Sequence, residues 1–294
     1  MNNEILNFKK QRELGEILGD TFKFIRLQWK PLFGLILRIA GPAMLLLLLA
    51  YLFYMQTMFG ASGSMDASPI YFTTGNFGAS LVIAMVIILI SAIAYYGLMY
   101  GTVMHSIRSY VNNHGKIVKS EVISGVKQDF WKLVGNSILV GLIVAAGTVL
   151  CILPGIYFGV VLTTTYSIIV FERKGVTDAI SYSFELIKGQ WWITFATLLV
   201  LMILYYVMIM IGQIPQYIYF FIKMFTEAGT FTADPASMFD WVYIALNGLA
   251  MVIQYLTYVV VVIAGGIIYF NLNERKHHTG TIETIESLGK RDTI

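Results

Sequence analysis

The sequence has few charged residues, one cysteine and few histidines, and each shortage excludes some classes of protein. Only 13% of the 294 residues are charged, whereas soluble domains carry about 25%, and 57% are hydrophobic. The one cysteine, Cys151, can form no disulfide within the chain. The four histidines are dispersed, so no clustered metal site is expected. This composition indicates a chain that folds in lipid.

The sequence also lacks the alternating pattern of membrane-spanning strands. Its uncharged runs are continuous, and they are long enough for helices of about 20 residues that cross the hydrocarbon core. We therefore predict an all-α integral membrane protein with six transmembrane helices in three hairpins and additional interfacial amphipathic helices. The transmembrane domain is predicted at 31–273, with spans at about 31–59, 79–104, 134–153, 156–171, 193–213 and 241–270.

Two positions within these apolar runs predict breaks. Gly41-Pro42 predicts a kink in the first span. The run 134–170 would measure about 55 Å as one helix, nearly twice the hydrocarbon thickness. Leu153-Pro154-Gly155 lies near its middle, and Pro-Gly is a strong turn signal. We expect the chain to reverse there, at the outer face of the membrane.

Two segments that precede spans have apolar residues on one helical face and polar residues on the others. These segments are 13–27 and 176–188. The first belongs to a predicted cytoplasmic or interfacial region, 1–30. A helix lying in the membrane interface and an ordinary helix packed on a partner both fit the pattern, and the direct run into a span favours the interface.

The same two regions indicate an internal repeat. Thr21–Trp29 aligns without gaps with Ser183–Trp191, and an apolar span follows each copy. Indole rings anchor well at the headgroup level. We therefore single out Trp29, Trp191 and Trp192 as structural anchors, together with Pro154 and Gly155 of the predicted turn.

The basic residues predict the orientation of the chain. Eighteen of the 20 lysines and arginines lie before Pro31, in 105–132, in 172–190 or in the tail, and the opposite loops hold Lys223 alone. Lysine and arginine concentrate on the cytoplasmic side of membrane proteins. We therefore expect both termini, including the polar tail 274–294, on the cytoplasmic side of a cell membrane.

One stretch resembles a known family. Leu153-Pro-Gly-Ile-Tyr-Phe158, followed by the run from Ile169-Val-Phe-Glu-Arg-Lys-Gly to Gly189-Gln-Trp-Trp192, is similar to the membrane domain of some glycerophosphoryl diester phosphodiesterases and to related stand-alone multi-pass families. The best match covers about 150–200. The resemblance implies a membrane architecture. In fused members the active site belongs to a separate barrel domain, so the resemblance implies no hydrolase activity for this chain.

No catalytic motif accompanies these spans: HExxH, GxSxG and Walker-type loops are missing. We expect no enzyme, no cofactor and no metal site. Arg38, inside the predicted first span, is a functional candidate because charges in lipid are costly; it can snorkel, or pair with a lipid phosphate or with Glu172. Glu172, at a span end, is the second candidate.

The function expected from these features is a non-enzymatic membrane module or scaffold. Its partners would be membrane lipids, and a membrane protein or a second copy of the chain, but no nucleic acid. The alternative is a transporter or channel subunit built from repeated helical hairpins, because transporters use repeats and discontinuous helices.

Overall fold

The computed structural model describes residues 5–60, 75–227 and 239–289, and every regular element in these ranges is a helix. Five stretches are long and apolar enough to cross a membrane, or six if α1 and α2 form one interrupted span. The prediction of an all-α chain with several such helices is confirmed. The helices are α1 Leu14–Ile39, α2 Gly41–Gly60, α3 Gly75–Asn112, α4 Lys119–Leu150, α5 Ile152–Leu162, α6 Thr165–Phe171, α7 Val176–Ile187, α8 Trp191–Thr226, α9 Trp241–Thr257, α10 Val259–His277 and α11 Thr279–Gly289.

These helices belong to two compact units. Unit 1 contains the described residues of 1–40, 96–203 and 259–294, and its central element is α10, of whose 19 residues fifteen are buried. Glycine permits this burial, because a Cβ atom at Gly266 would lie only 2.9 Å from a methyl group of Ile107 in α3. Close backbone packing therefore holds the centre of unit 1.

Unit 2 contains the described residues of 41–95 and 204–258. Its α8 and α9 segments also approach closely, since a Cβ at Gly212 would lie 2.7 Å from Ile253. The Tyr95 hydroxyl donates a 2.9 Å hydrogen bond to the carbonyl of Tyr255. A buried hydroxyl needs such a partner, so this bond fixes α3 against α9 within the unit.

The first 60 residues differ from the prediction in their boundaries. The predicted interfacial segment and the start of the predicted first span form one helix, α1, with non-helical dihedral angles at Gln28. Pro31 follows three residues later and cannot support regular helix geometry before it. The predicted kink is found as a break at Ala40, directly before Gly41-Pro42.

The reversal predicted at Leu153-Pro154-Gly155 lies slightly earlier in the chain. Cys151 is extended, with φ −170° and ψ 147°, and separates α4 from α5. Pro154 lies in the first turn of α5, where its missing N–H would have no helical partner anyway. Asn136 donates a 3.0 Å hydrogen bond to Thr165, so the chain after Cys151 runs back along α4.

Other predicted span ends are not helix ends. The helix α3 continues through the predicted end at 104 to Asn112, and α8 continues through Pro215 to Thr226. The predicted sixth span is interrupted at Tyr258, and the tail contains α11. Hydropathy marks where a lipid environment ends, whereas backbone hydrogen bonding continues through polar residues. The helix predicted at 176–188 is present as α7.

Candidate functional site

The candidate site in unit 1 is a half-open pocket of about 500 Å³ that combines two cations with an apolar wall. We call it the amphiphilic pocket. It includes Arg38, which the sequence singles out. The pocket is lined by Arg38 and Ile39 at the end of α1, Leu98 of α3, and Ile123, Val126, Lys127, Phe130 and Trp131 of α4.

Helical geometry explains why these residues meet. In α4 the lining positions recur at intervals of three and four residues, so they form one face of the helix. Val126 is buried on that face, whereas Trp131 is 80% exposed at its edge. Arg38 lies in the last turn of α1, where a cation is stabilised by the helix dipole.

The charges of the pocket are of one sign. No acidic side chain lines it, and Arg38 and Lys127 form no ion pair with any residue that the structure describes. Arginine and lysine bind phosphate groups, and Arg38 can do so with two parallel hydrogen bonds. The apolar wall and the exposed indole suit acyl chains and the headgroup boundary. The arrangement fits a phosphate-bearing amphiphile.

Glu172, the second candidate, lies elsewhere in unit 1. Its Oε1 accepts a 2.6 Å hydrogen bond from the hydroxyl of Tyr269 in α10. The ring of Tyr269 also stacks on Phe171, with centroids 5.4 Å apart. Arg38 and Glu172 form no ion pair in the part of the chain that the structure describes. Glu172 joins the end of α6 to α10.

The tryptophans divide into two groups. Trp29 and Trp192 are 55% and 75% exposed, which fits rings that face lipid or headgroups. Trp191 instead stacks on Phe195, with centroids 5.2 Å apart, and on Tyr157, with centroids 5.8 Å apart. Trp191 therefore packs within unit 1, whereas Trp29 and Trp192 keep the geometry of anchors.

Pro154 and Gly155 have structural positions in the hairpin of α4 and α5. A Cβ atom on Gly155 would lie 2.9 Å from the backbone nitrogen of Thr148. On the opposing helix, a Cβ on Gly147 would lie 3.2 Å from Cα of Gly155. The two helices touch here backbone to backbone, which only glycine permits.

Sequence reasoning missed the buried arginine of the N-terminal segment. Arg12 is 2% exposed; its Nε donates to Asp20 at 2.8 Å and its Nη1 to the carbonyl of Phe8 at 2.7 Å. Its backbone N–H donates to Asn271 of α10 at 2.8 Å. Burial lowers the pKa of Arg12, and the hydrogen bond to Asp20 opposes that shift. The local partners Phe8 and Asp20 do not by themselves predict burial, which depends on packing against distant residues such as Asn271.

Sequence reasoning also assigned no histidine to a buried position. His105 instead lies in α3, 5% exposed, with Nε2 3.3 Å from Asp129 of α4. A signal existed: Asp129 and Asn136 fall on the face of α4 that includes the buried Leu133, so polar groups recur on an apolar face.

The described residues offer no catalytic or metal-binding constellation. Among them, no group of three or more His, Cys, Asp or Glu side chains is placed to hold a metal ion. The acidic positions Asp66 and Asp234 lie outside the described ranges.

Comparison with known proteins adds no relative. No protein-family model, no curated protein and no solved structure matches the chain. The five or six long apolar helices are compatible with a multi-pass membrane protein.

Proposed function

We propose that this protein is a non-enzymatic, multi-pass membrane module that holds an anionic phospholipid in the amphiphilic pocket. The observation that carries the proposal is the position of Arg38 and Lys127 above an apolar wall without an acidic partner. A phosphate between them would neutralise two like charges, and acyl chains would cover the wall. The similarity to phosphodiesterase membrane domains supports the same architecture without the chemistry.

We place α1 along the cytoplasmic surface and make α2 the first crossing. Phe22, Trp29 and Leu37 of α1 are exposed and recur after seven and eight residues, so they form one apolar stripe. Arg38 shares its pocket with Lys127 and Trp131, which puts all three at the headgroup level. With this placement the charge of Arg38 lies outside the hydrocarbon. Both termini are then cytoplasmic.

The hairpin of α4 and α5 enters the membrane from the cytoplasmic side and returns to it, and its tip ends within the acyl chains of the outer leaflet. From Lys132 to Leu150 the helix rises about 27 Å, slightly less than the hydrocarbon thickness of about 30 Å. The tip, residues 149–153, has no charged side chain to place in water. Its apolar residues are widely exposed: Val149 87%, Leu150 84%, Ile152 69% and Leu153 73%.

The backbone of the tip suits a dry environment. The Cys151 N–H donates to the carbonyl of Gly147 at 3.0 Å, and the Gly155 N–H donates to Cys151 at 3.4 Å. Pro154 has no N–H, and the Thr148 hydroxyl donates to Val144 at 2.8 Å. Unpaired backbone groups are costly in lipid. These hydrogen bonds, and the missing N–H of Pro154, lower the number of unpaired groups and so support a tip embedded in hydrocarbon.

Cys151 itself tests the hairpin, because it is the single cysteine of the chain. In intact cells an embedded Cys151 should resist both membrane-permeant and impermeant maleimides, because a thiol in hydrocarbon does not ionise, and it should react once detergent has dissolved the membrane. In the Cys151→Ser background, Asp66→Cys should be labelled from outside and Lys119→Cys should not. Labelling of Cys151 by the impermeant reagent would contradict the embedded tip, and labelling of Lys119→Cys from outside would contradict the orientation.

Lipid retention tests the pocket. Protein purified in mild detergent should keep phosphatidylglycerol, measured by native mass spectrometry, and Arg38→Gln with Lys127→Gln should lower the retained amount about tenfold. The matched control is Arg26→Gln with Lys119→Gln, which removes two exposed cations outside the pocket. If both double variants lose the same amount of phosphatidylglycerol, the effect is one of net charge. If the Arg38→Gln, Lys127→Gln variant loses none, the proposed site is refuted.

One observation favours the transporter alternative. The α5–α6 break at Thr163–Thr164 and the Tyr258 break both interrupt apolar stretches, and broken helices form substrate sites in transporters. Beside the first break, Thr164 Oγ1 and Asn136 Oδ1 are buried without a hydrogen-bond partner in the described chain. Solute or ion flux in proteoliposomes that Asn136→Leu abolishes would favour this alternative over the module.

A further inference from the structure

A second basic cavity lies on the other side of α4 from the amphiphilic pocket. It has a volume of about 310 Å³. Its lining residues on α4 include Glu121 and Gln128, which lie roughly opposite Val126 and Phe130 on the helical wheel. Across from them, α3 contributes His105, Arg108 and Ser109, and Arg173 closes the rim after α6. We call it the arginine cavity.

The buried part of the cavity is rigid. His105 is 5% and Ser109 3% exposed. The imidazole of His105 is fixed on one side by Gly125, where a Cβ atom would lie 2.3 Å from Nδ1. On the other side, Nε2 lies 3.3 Å from Asp129, whose other carboxylate oxygen is 3.5 Å from Lys132. The charge of Asp129 is therefore shared between His105 and Arg108 of the cavity and Lys132 outside it.

The charges that remain in the cavity are mostly positive. Arg108 gives one N–H to the carbonyl of Val170 at 3.0 Å, which leaves most of its guanidinium donors for a ligand. Arg173 forms no hydrogen bond or ion pair with a described residue, and it is close enough to Arg108 for repulsion. The one acid, Glu121, accepts hydrogen bonds from Ser109 and Asn113, both at 2.7 Å.

The backbone at Arg173 is also unusual. It follows Glu172, the C-cap of α6, and has φ 57°. Glycine normally occupies such a left-handed position at a helix end, because other residues clash there. The backbone of Arg173 is therefore strained, and its side chain brings one cation towards another, Arg108. Both features cost stability, which indicates that Arg173 has a different role.

We propose that the arginine cavity binds a phosphate-type oxyanion between the guanidinium groups of Arg108 and Arg173. Both side chains can offer paired N–H donors to phosphate oxygens, and the bound charge would relieve their repulsion. The ligand is either free phosphate or the terminal phosphate of a lipid headgroup. The site uses neither Arg38 nor Lys127, so it is independent of the amphiphilic pocket and of the function proposed for it.

The decisive variant is Arg173→Gly, because it separates binding from folding. Glycine accepts φ 57° without strain, so the thermal midpoint in detergent should stay equal or rise. Binding of inorganic phosphate to the purified full-length chain, measured by isothermal titration calorimetry, should weaken at least tenfold, because a charge-assisted contact of about 1.5–3 kcal/mol is lost. Arg108→Gln should weaken binding similarly, and Glu121→Gln should strengthen it. Lys119→Gln, outside the cavity, should have no effect.

A second arm distinguishes the two sources of the phosphate. Nanodiscs with phosphatidic acid are compared with nanodiscs of phosphatidylcholine. Binding of free phosphate that Arg173→Gly removes supports a soluble ligand; retention of phosphatidic acid alone, lost in the same variant, supports a headgroup. The proposal would be overturned if the chain bound neither phosphate nor phosphatidic acid. It would also be overturned if the binding of both survived Arg173→Gly and Arg108→Gln.

Discussion

The two ends of unit 1 are built by opposite rules. At the basic end, where residues 5–20 meet α10 and where α4 begins, polar groups are buried and paired, as Arg12 is with Asp20 and Asn271. At the tip of the α4–α5 hairpin, residues 149–153 expose apolar side chains and have no charge. Specific polar contacts fix the first end, whereas close backbone packing and a lipid-compatible surface define the second.

The largest expected effect is at the basic end. Arg12→Ala removes the buried cation that is paired with Asp20 and the donors to three backbone carbonyls, and leaves Asp20 only Lys10 at 3.4 Å. Loss of one member of a buried ion pair costs about 3–5 kcal/mol. The free energy of unfolding in mixed micelles should fall by that amount. The control Arg26→Ala, which removes an exposed cation on α1, should change the free energy of unfolding by no more than about 0.5 kcal/mol. Similar losses for both variants would show that Arg12 has no special structural role.

The next effect distinguishes the tip from the basic end. Leu150→Arg puts a cation on a side chain that is 84% exposed, at a cost of up to about 3 kcal/mol if the tip lies in hydrocarbon. The fraction of protein that resists carbonate extraction should fall. Ser120→Arg, exposed at the basic end of the same helix, should insert normally. Normal insertion of both variants would show that the tip is in water.

Packing of the hairpin gives a smaller effect. The added methyl group of Gly155→Ala would meet the Thr148 backbone at 2.9 Å, so the variant should lose about 1–3 kcal/mol. Gly159→Ala, one turn further along α5, meets nothing within 4 Å and should gain up to about 1 kcal/mol from helix propensity. Thermal unfolding in detergent measures both, and equal shifts would contradict backbone contact at Gly155.

The smallest effect is a pH dependence at the basic end. Lys276 lies 2.6 Å from Glu185, and the hydrogen bond lowers the pKa of Glu185. Stability from this pair is therefore present above the unfolded pKa of about 4.3 and is lost as the pH falls through the folded value. The thermal midpoint should drop more on acidification for the parent than for Glu185→Gln. Indistinguishable pH profiles would show that the exposed pair contributes nothing.

The sequence predicted the helical class, the presence of several helices long and apolar enough to span a membrane, and the break near residue 153, because apolar length and Pro-Gly signals are local properties. It did not predict that Arg38 meets Lys127, since those residues lie on different helices. It also missed the burial of Arg12 and His105, because their partners, Asn271 and Asp129, are brought near only by packing.

The contrast between α8 and α10 shows the same division. Both are apolar enough to be read as membrane helices from composition. Only the tertiary structure decides that fifteen residues of α10 are buried, while bulky residues of α8 such as Ile211 and Met210 stay exposed. Hydropathy measures transfer from water and does not distinguish lipid from a protein interior, since both are apolar. By itself the sequence therefore determined which stretches are apolar and long enough to enter a membrane, and packing determined which residues meet.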